Sequence, residues 1–121
     1  MATHCFIAGF FASSAGISAK LISSPDVIPT PFISPTLRTV LCVTSLVLCN
    51  ILMWINYTTA LQGMQTVAAT SCTTATNFLV SGLAGWTLFG EVLSLFWWLG
   101  ISLIIMGVVL LNQDTQKNKS D

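Results

Sequence analysis

Residues 36–57 read TLRTVLCVTSLVLCNILMWINY. This stretch decides the fold. It is an apolar run with one charged residue, Arg38, near its start. A helix that crosses the hydrocarbon layer needs about 20 mostly apolar residues, and this run supplies them. Ser34 and Pro35 precede it as a helix cap and a first helical position. Three more segments fit the same template, at residues 4–22, 66–90 and 94–112. The expected fold is therefore all-α, an integral membrane bundle of four transmembrane helices occupying residues 1–112, with a short polar tail over residues 113–121.

The composition agrees. The chain has 121 residues, 54% of them hydrophobic and only 7% charged. A soluble domain carries roughly 25% charged residues. Too little charge is present to cover a water-facing surface, so lipid is the expected partner of most of that surface. The formal net charge is zero, with no basic patch, and this argues against a nucleic-acid partner.

The links between the segments follow from turn chemistry. Pro25, Pro29, Pro31 and Pro35 break the chain between the first two helices. Residues 58–65 form a short polar link. Residues 91–93 form a tighter one, so the third and fourth helices should pack as an antiparallel hairpin. The first segment has small residues at 15–19 but no preceding Lys or Arg, so a retained helix is expected rather than a cleaved leader.

The third segment is polar for a lipid-facing helix. At helical spacing Thr66, Thr70, Thr73, Asn77, Ser81 and Ala84 form one stripe. That stripe is expected to face the bundle interior, against the small residues Gly9, Ser13 and Gly16, flanked by Ala8 and Ala12, of the first helix. Two readings follow: close packing through small residues, or a polar lining for a substrate path that also includes Asn50 and Trp54.

Four spans place both termini on one side of the membrane, giving a multi-pass protein. Lys20, Asp26, Arg38 and Glu91 then lie at the other side, and Lys117 and Lys119 in the tail. Two basic residues flank each face, so the positive-inside rule sets no orientation. Lys20, Arg38 and Glu91 form either an interfacial ion pair or a contact for a charged substrate. Trp97 and Trp98 are expected in lipid contact near the interface. Cys5, Cys42, Cys49 and Cys72 lack zinc-type spacing and read as small hydrophobes rather than a metal or redox site. No catalytic triad or paired carboxylates can be assembled from one histidine and four dispersed acids, so no enzyme and no cofactor is expected. Asn56-Tyr57-Thr58 and Asn118-Lys119-Ser120 match the glycosylation triplet.

Residues 81–91, SGLAGWTLFGE, followed by residues 100–112, GISLIIMGVVLLN, resemble the end of a half-repeat in the EamA-like group of the drug/metabolite transporter superfamily. The last helix is also similar to that of small multidrug resistance proteins. Residues 15–21, AGISAKL, and residues 50–54, NILMW, are similar to the four-helix transmembrane protein forty-two family. The resemblance implies a half-sized transporter that moves a small metabolite as a homodimer, with Gly100 and Gly107 at the dimer contact. Small multidrug resistance proteins carry a glutamate in the first helix where Ala8, Ala12 and Gly16 stand here, which argues against proton-coupled cation efflux by that route. The alternative is a non-transporting accessory subunit that docks on another membrane protein through its small-residue faces.

Overall fold

A computed structural model describes residues 2–24, 26 and 31–120. They form four helices: α1 (Ala2–Ser23), α2 (Pro35–Gly63), α3 (Thr66–Phe89) and α4 (Leu95–Ser120). α1, α2 and the Leu95–Asn118 part of α4 are long and apolar enough to cross a membrane. The shortest of these helices, α1, has 22 residues and so is about 33 Å long, against a hydrocarbon core of about 30 Å. α3 is long enough too, with 24 residues, but its threonines and Asn77 interrupt its apolar run, and it is not among the three.

The ends of the helices have local causes. The Leu37 amide donates to Ser34 Oγ at 3.3 Å, and Pro35 occupies the first turn, where a missing amide costs nothing. α3 stops at Gly90, which takes a left-handed φ of 62° and sends the Glu91 amide back to Gly85 O at 3.1 Å. That conformation suits glycine and closes the helix. Ser94 then accepts from the Trp97 amide through both its hydroxyl and its carbonyl, starting α4. Of the prolines expected to break the first link, Pro25 and Pro29 lie outside the described residues.

Two helices outrun the apolar patterns. α2 continues to Gly63 because Thr58 and Thr59 donate their hydroxyls to Trp54 O and Ile55 O within the helix. The residues between α2 and α3 are thus 64 and 65 alone. α4 continues through residues 113–120, where a polar tail was expected. No Gly or Pro follows Asn112, and Gln and Lys are good helix formers. Hydropathy marks where an apolar surface ends, not where a helix ends.

The helices contact one another in the order α2, α1, α3, α4. α1 packs against both α2 and α3, α4 packs on α3, and α2 meets α3 only sparsely. Directions follow from facing residues. Cys5 lies by Met64 and Ser18 by Ser45, so α1 and α2 are antiparallel. Gly9 faces Thr73 and Thr76, so α3 runs with α1; Gly82 faces Trp97, so α3 and α4 form the expected antiparallel hairpin.

What is buried is small. The core consists of Cys5, Ala8, Ala15, Ala60, Ala68, Ala69, Cys72 and Ala75, joined by one larger residue, Ile101. The large side chains point outward: Trp54 is 59% exposed, Trp86 59% and Trp98 56%. The accessible surface is 8072 Å², against about 6,300 Å² for a compact soluble chain of 13.0 kDa. A water-soluble fold hides its large apolar groups, and a continuous apolar exterior this wide marks an interaction surface. Small residues between helices with large apolar residues outside is the arrangement that lipid favours, because dispersion between closely spaced backbones replaces the hydrophobic drive.

Candidate functional site

α1 and α3 approach closely at Gly9. A Cβ built on Gly9 would stand 2.5 Å from Thr76 Cβ and 2.6 Å from Thr73 O. Only hydrogen fits there, so glycine sets the spacing of the two helices. Below this point α1, α2 and α3 converge on a cluster of Cys5, Ala60, Ala69 and Cys72, with Tyr57, Leu61 and Met64 packed around it. The Cys5 thiol donates to Met64 Sδ at 3.2 Å. Polar pairs flank the cluster: His4 Nδ1 lies 3.1 Å from Asn56 Oδ1, and Tyr57 OH 2.7 Å from Thr70 Oγ1.

A cleft of about 240 Å³ separates the C-terminal half of α4 from α1 and α3. Phe6, Ala75, Leu79, Ile105 and Val109 make its apolar walls, while Ser71, Thr76 and Asn112 add a few polar atoms. Ala2 and Asn112 both line it, so the first and last helices bring their outer ends to the same end of the molecule. Met64 and Cys72 line it as well, so the cleft reaches the sulfur cluster.

The stripe expected to face inward does not do so as a whole. On α3 the buried positions are Ala68, Ala69, Cys72, Ala75, Gly82 and Gly85. Thr73, Asn77 and Ala84 are half-buried, and Thr66, Thr70 and Ser81 are exposed. The reason is size: a helix wedged between two neighbours turns its smallest side chains toward them. The hydroxyls find partners along their own helix instead, as when Thr70 donates to Thr66 O at 2.8 Å and Ser81 to Asn77 Oδ1 at 3.2 Å. Thr73 Oγ1 differs, being buried with no hydrogen-bond partner among the described residues. On α1, Gly9 and Ser13 are buried, but Gly16 is exposed with open space about it.

The remaining candidates are spread. Asn50 is half-buried on α2 and donates to Leu46 O at 2.8 Å. Trp54 is on the outside, edge-on to Tyr57. None of Asn50, Trp54, Thr70, Thr73, Asn77 and Ser81 lines the cleft. Gly100 and Gly107 on α4 have nothing within 4 Å of a built Cβ. Trp98 is outside as expected, but the Trp97 indole lies against Gly82, where any Cβ would collide with it. Asn56 sits within α2, half-buried and bonded to His4, rather than in a loop.

At the opposite end from the cleft, Lys20 and Glu91 form an ion pair, and the Lys20 ammonium also lies 4.4 Å from the centre of the Phe89 ring. The pair ties the end of α1 to the α3–α4 turn. Arg38 is half-buried in the first turn of α2. Among the described residues no group of three or more His, Cys, Asp and Glu side chains is placed to hold a metal ion. No spacing within the chain signals that Cys5, Met64 and Cys72 meet, because α1, the α2–α3 link and α3 each supply one of them. No family model matches the chain, and no solved structure matches it.

Proposed function

We propose that all four helices span a bilayer and that the chain is a transporter-derived half-unit of the EamA-like kind. Two copies would pair to enclose a path for a small, uncharged or polar metabolite. The observation that carries this reading is the distribution of size: small side chains between the helices, large apolar ones outside, and α4 packed chiefly on α3. α3, rich in hydroxyls, packs against both α1 and α4, which is where a hydroxyl-rich span is sheltered from lipid. Gly100 and Gly107 lie seven residues apart on α4 with nothing against them, a face that can accept a second helix closely. Half-buried Asn77 and the unpartnered Thr73 hydroxyl supply hydrogen-bonding groups toward such a path. Without a carboxylate inside, recognition would rest on hydrogen bonds and stacking.

One observation favours a second reading, an accessory subunit bound to another membrane protein. Within one chain the polar candidates do not line the cleft between α4 and α1–α3. Two experiments separate the readings. Cysteines placed at Gly100 and Gly107, in a chain lacking its native thiols, should crosslink to the same positions of a second copy. Proteoliposomes should then take up a metabolite from a neutral panel, and a folded Asn77→Leu chain should lose that uptake. A stoichiometric foreign partner in native membranes, with no self-crosslink, would replace the first reading by the second.

A further inference from the structure

The buried sulfur cluster has no part in either reading. Cys5 comes from α1, Met64 from the α2–α3 link and Cys72 from α3. Cys5 is 0% exposed and Cys72 9%. The Cys5 thiol points at Met64 Sδ, and Cys5 and Cys72 belong to the same buried cluster, against which Met64 packs. Cys5 thus has a thioether beside it and a second thiol in the same cluster, and Met64 and Cys72 also line the cleft. Thioether and thiolate are the softest ligands that a protein offers, and together they select copper in its monovalent state. Zinc is the poorer match, because its sites are tetrahedral and take nitrogen, thiolate or carboxylate ligands, whereas one of these three sulfurs is a thioether and, among the described residues, no third His, Cys, Asp or Glu joins the two thiols.

We propose that Cys5, Met64 and Cys72 form a three-sulfur binding site for monovalent copper. Binding replaces a proton by a metal ion of equal charge. The Cys5 S–H bond breaks, its sulfur becomes a thiolate bound to Cu(I), and the proton leaves to solvent through the cleft. Cys72, as a thiol, and Met64 donate lone pairs without losing a proton. The net charge of the site is unchanged, which matters in an apolar interior where an added charge is expensive. No oxidant or reductant takes part. The site forms within one copy, so it stands whether or not the chain transports.

The test is competition for Cu(I) between the full-length chain, in detergent under reducing conditions, and a chromophoric Cu(I) chelator. The expected result is one Cu(I) per chain, with a copper X-ray absorption spectrum showing sulfur ligands only. The Cys42→Ser/Cys49→Ser chain should bind as well as the native one. The Cys5→Ser and Cys72→Ser chains should lose the site. Met64→Leu keeps the volume of the side chain and so should fold. It should still weaken binding by at least the roughly tenfold that loss of an outer-sphere partner costs a metal site. The proposal is overturned if the native chain takes up no sulfur-bound Cu(I), if Cys5→Ser/Cys72→Ser binds as before, or if folded Met64→Leu binds with unchanged affinity. Equal affinity for Zn²⁺ would overturn the assignment of a monovalent ion.

Discussion

Replacing Gly9 by alanine probes the backbone-level contact between α1 and α3. The added methyl would stand 2.5 Å from Thr76 Cβ and 2.6 Å from Thr73 O. Carbon atoms in contact prefer about 3.5–4.0 Å, so α1 and α3 must separate by about 1 Å at this level. Thr73 O belongs to the backbone, so a rotamer change cannot relieve the clash. A gap of that size forfeits roughly a quarter to a half of the dispersion energy of each atom pair that it opens. Overpacking of this kind costs about 1–3 kcal/mol. The matched control is Gly16→Ala on the same helix, where a Cβ meets nothing within 4 Å. There the change should be neutral or stabilise by up to about 1 kcal/mol, since alanine is the better helix former. Reversible unfolding in mixed micelles, followed by far-UV circular dichroism, measures both. Should Gly9→Ala prove as stable as Gly16→Ala, the close α1–α3 packing is not the native one.

Two further predictions concern the other end of the molecule. Gly82→Ala should displace the Trp97 indole and lower stability by about 1–3 kcal/mol. Adding Trp97→Leu should recover part of that loss, and a double-mutant cycle in the same micelles reads the coupling; additive losses would mean that the indole does not cover Gly82. Lys20 and Glu91 side chains are 39% and 52% exposed, so their pair should couple by less than about 1 kcal/mol in a Lys20→Ala/Glu91→Ala cycle and weaken with added salt. A salt-insensitive coupling of about 2 kcal/mol or more would show a desolvated pair instead.

The helices were legible because a single physical signal, long apolar runs divided by Pro, Gly and polar links, specifies them. The Ser34–Pro35 start of α2 and the hairpin joining α3 to α4 followed from local rules of capping and loop length, and such rules act within a few residues. The ends of α2 and α4 run past the apolar runs for a related reason. Thr58, Thr59 and residues 113–120 are polar, and polarity alone does not distinguish a loop from a helix that leaves an apolar layer. The inward face of α3 was misread because hydroxyls were weighed above size, whereas Ala68, Ala69, Cys72 and Ala75 allow the closer approach. Lys20 and Glu91 could be placed at the same end from the alternation of the spans, and the structure pairs them. The meeting of Cys5, Met64 and Cys72 depends on which faces of three helices turn together, and no spacing within one helix encodes that.

The account depends on hydrocarbon, rather than water, covering the outer faces of the helices. Tryptophan fluorescence tests it on the outermost surface. In a chain with Trp86, Trp97 and Trp98 replaced by phenylalanine, Trp54 is the sole emitter and stands on the exposed side of α2. In bilayers whose acyl chains carry bromine, its emission should fall steeply relative to ordinary lipid, because bromine quenches only on contact. Unchanged emission, from a chain that stays dissolved as a single species in buffer without detergent, would contradict the account.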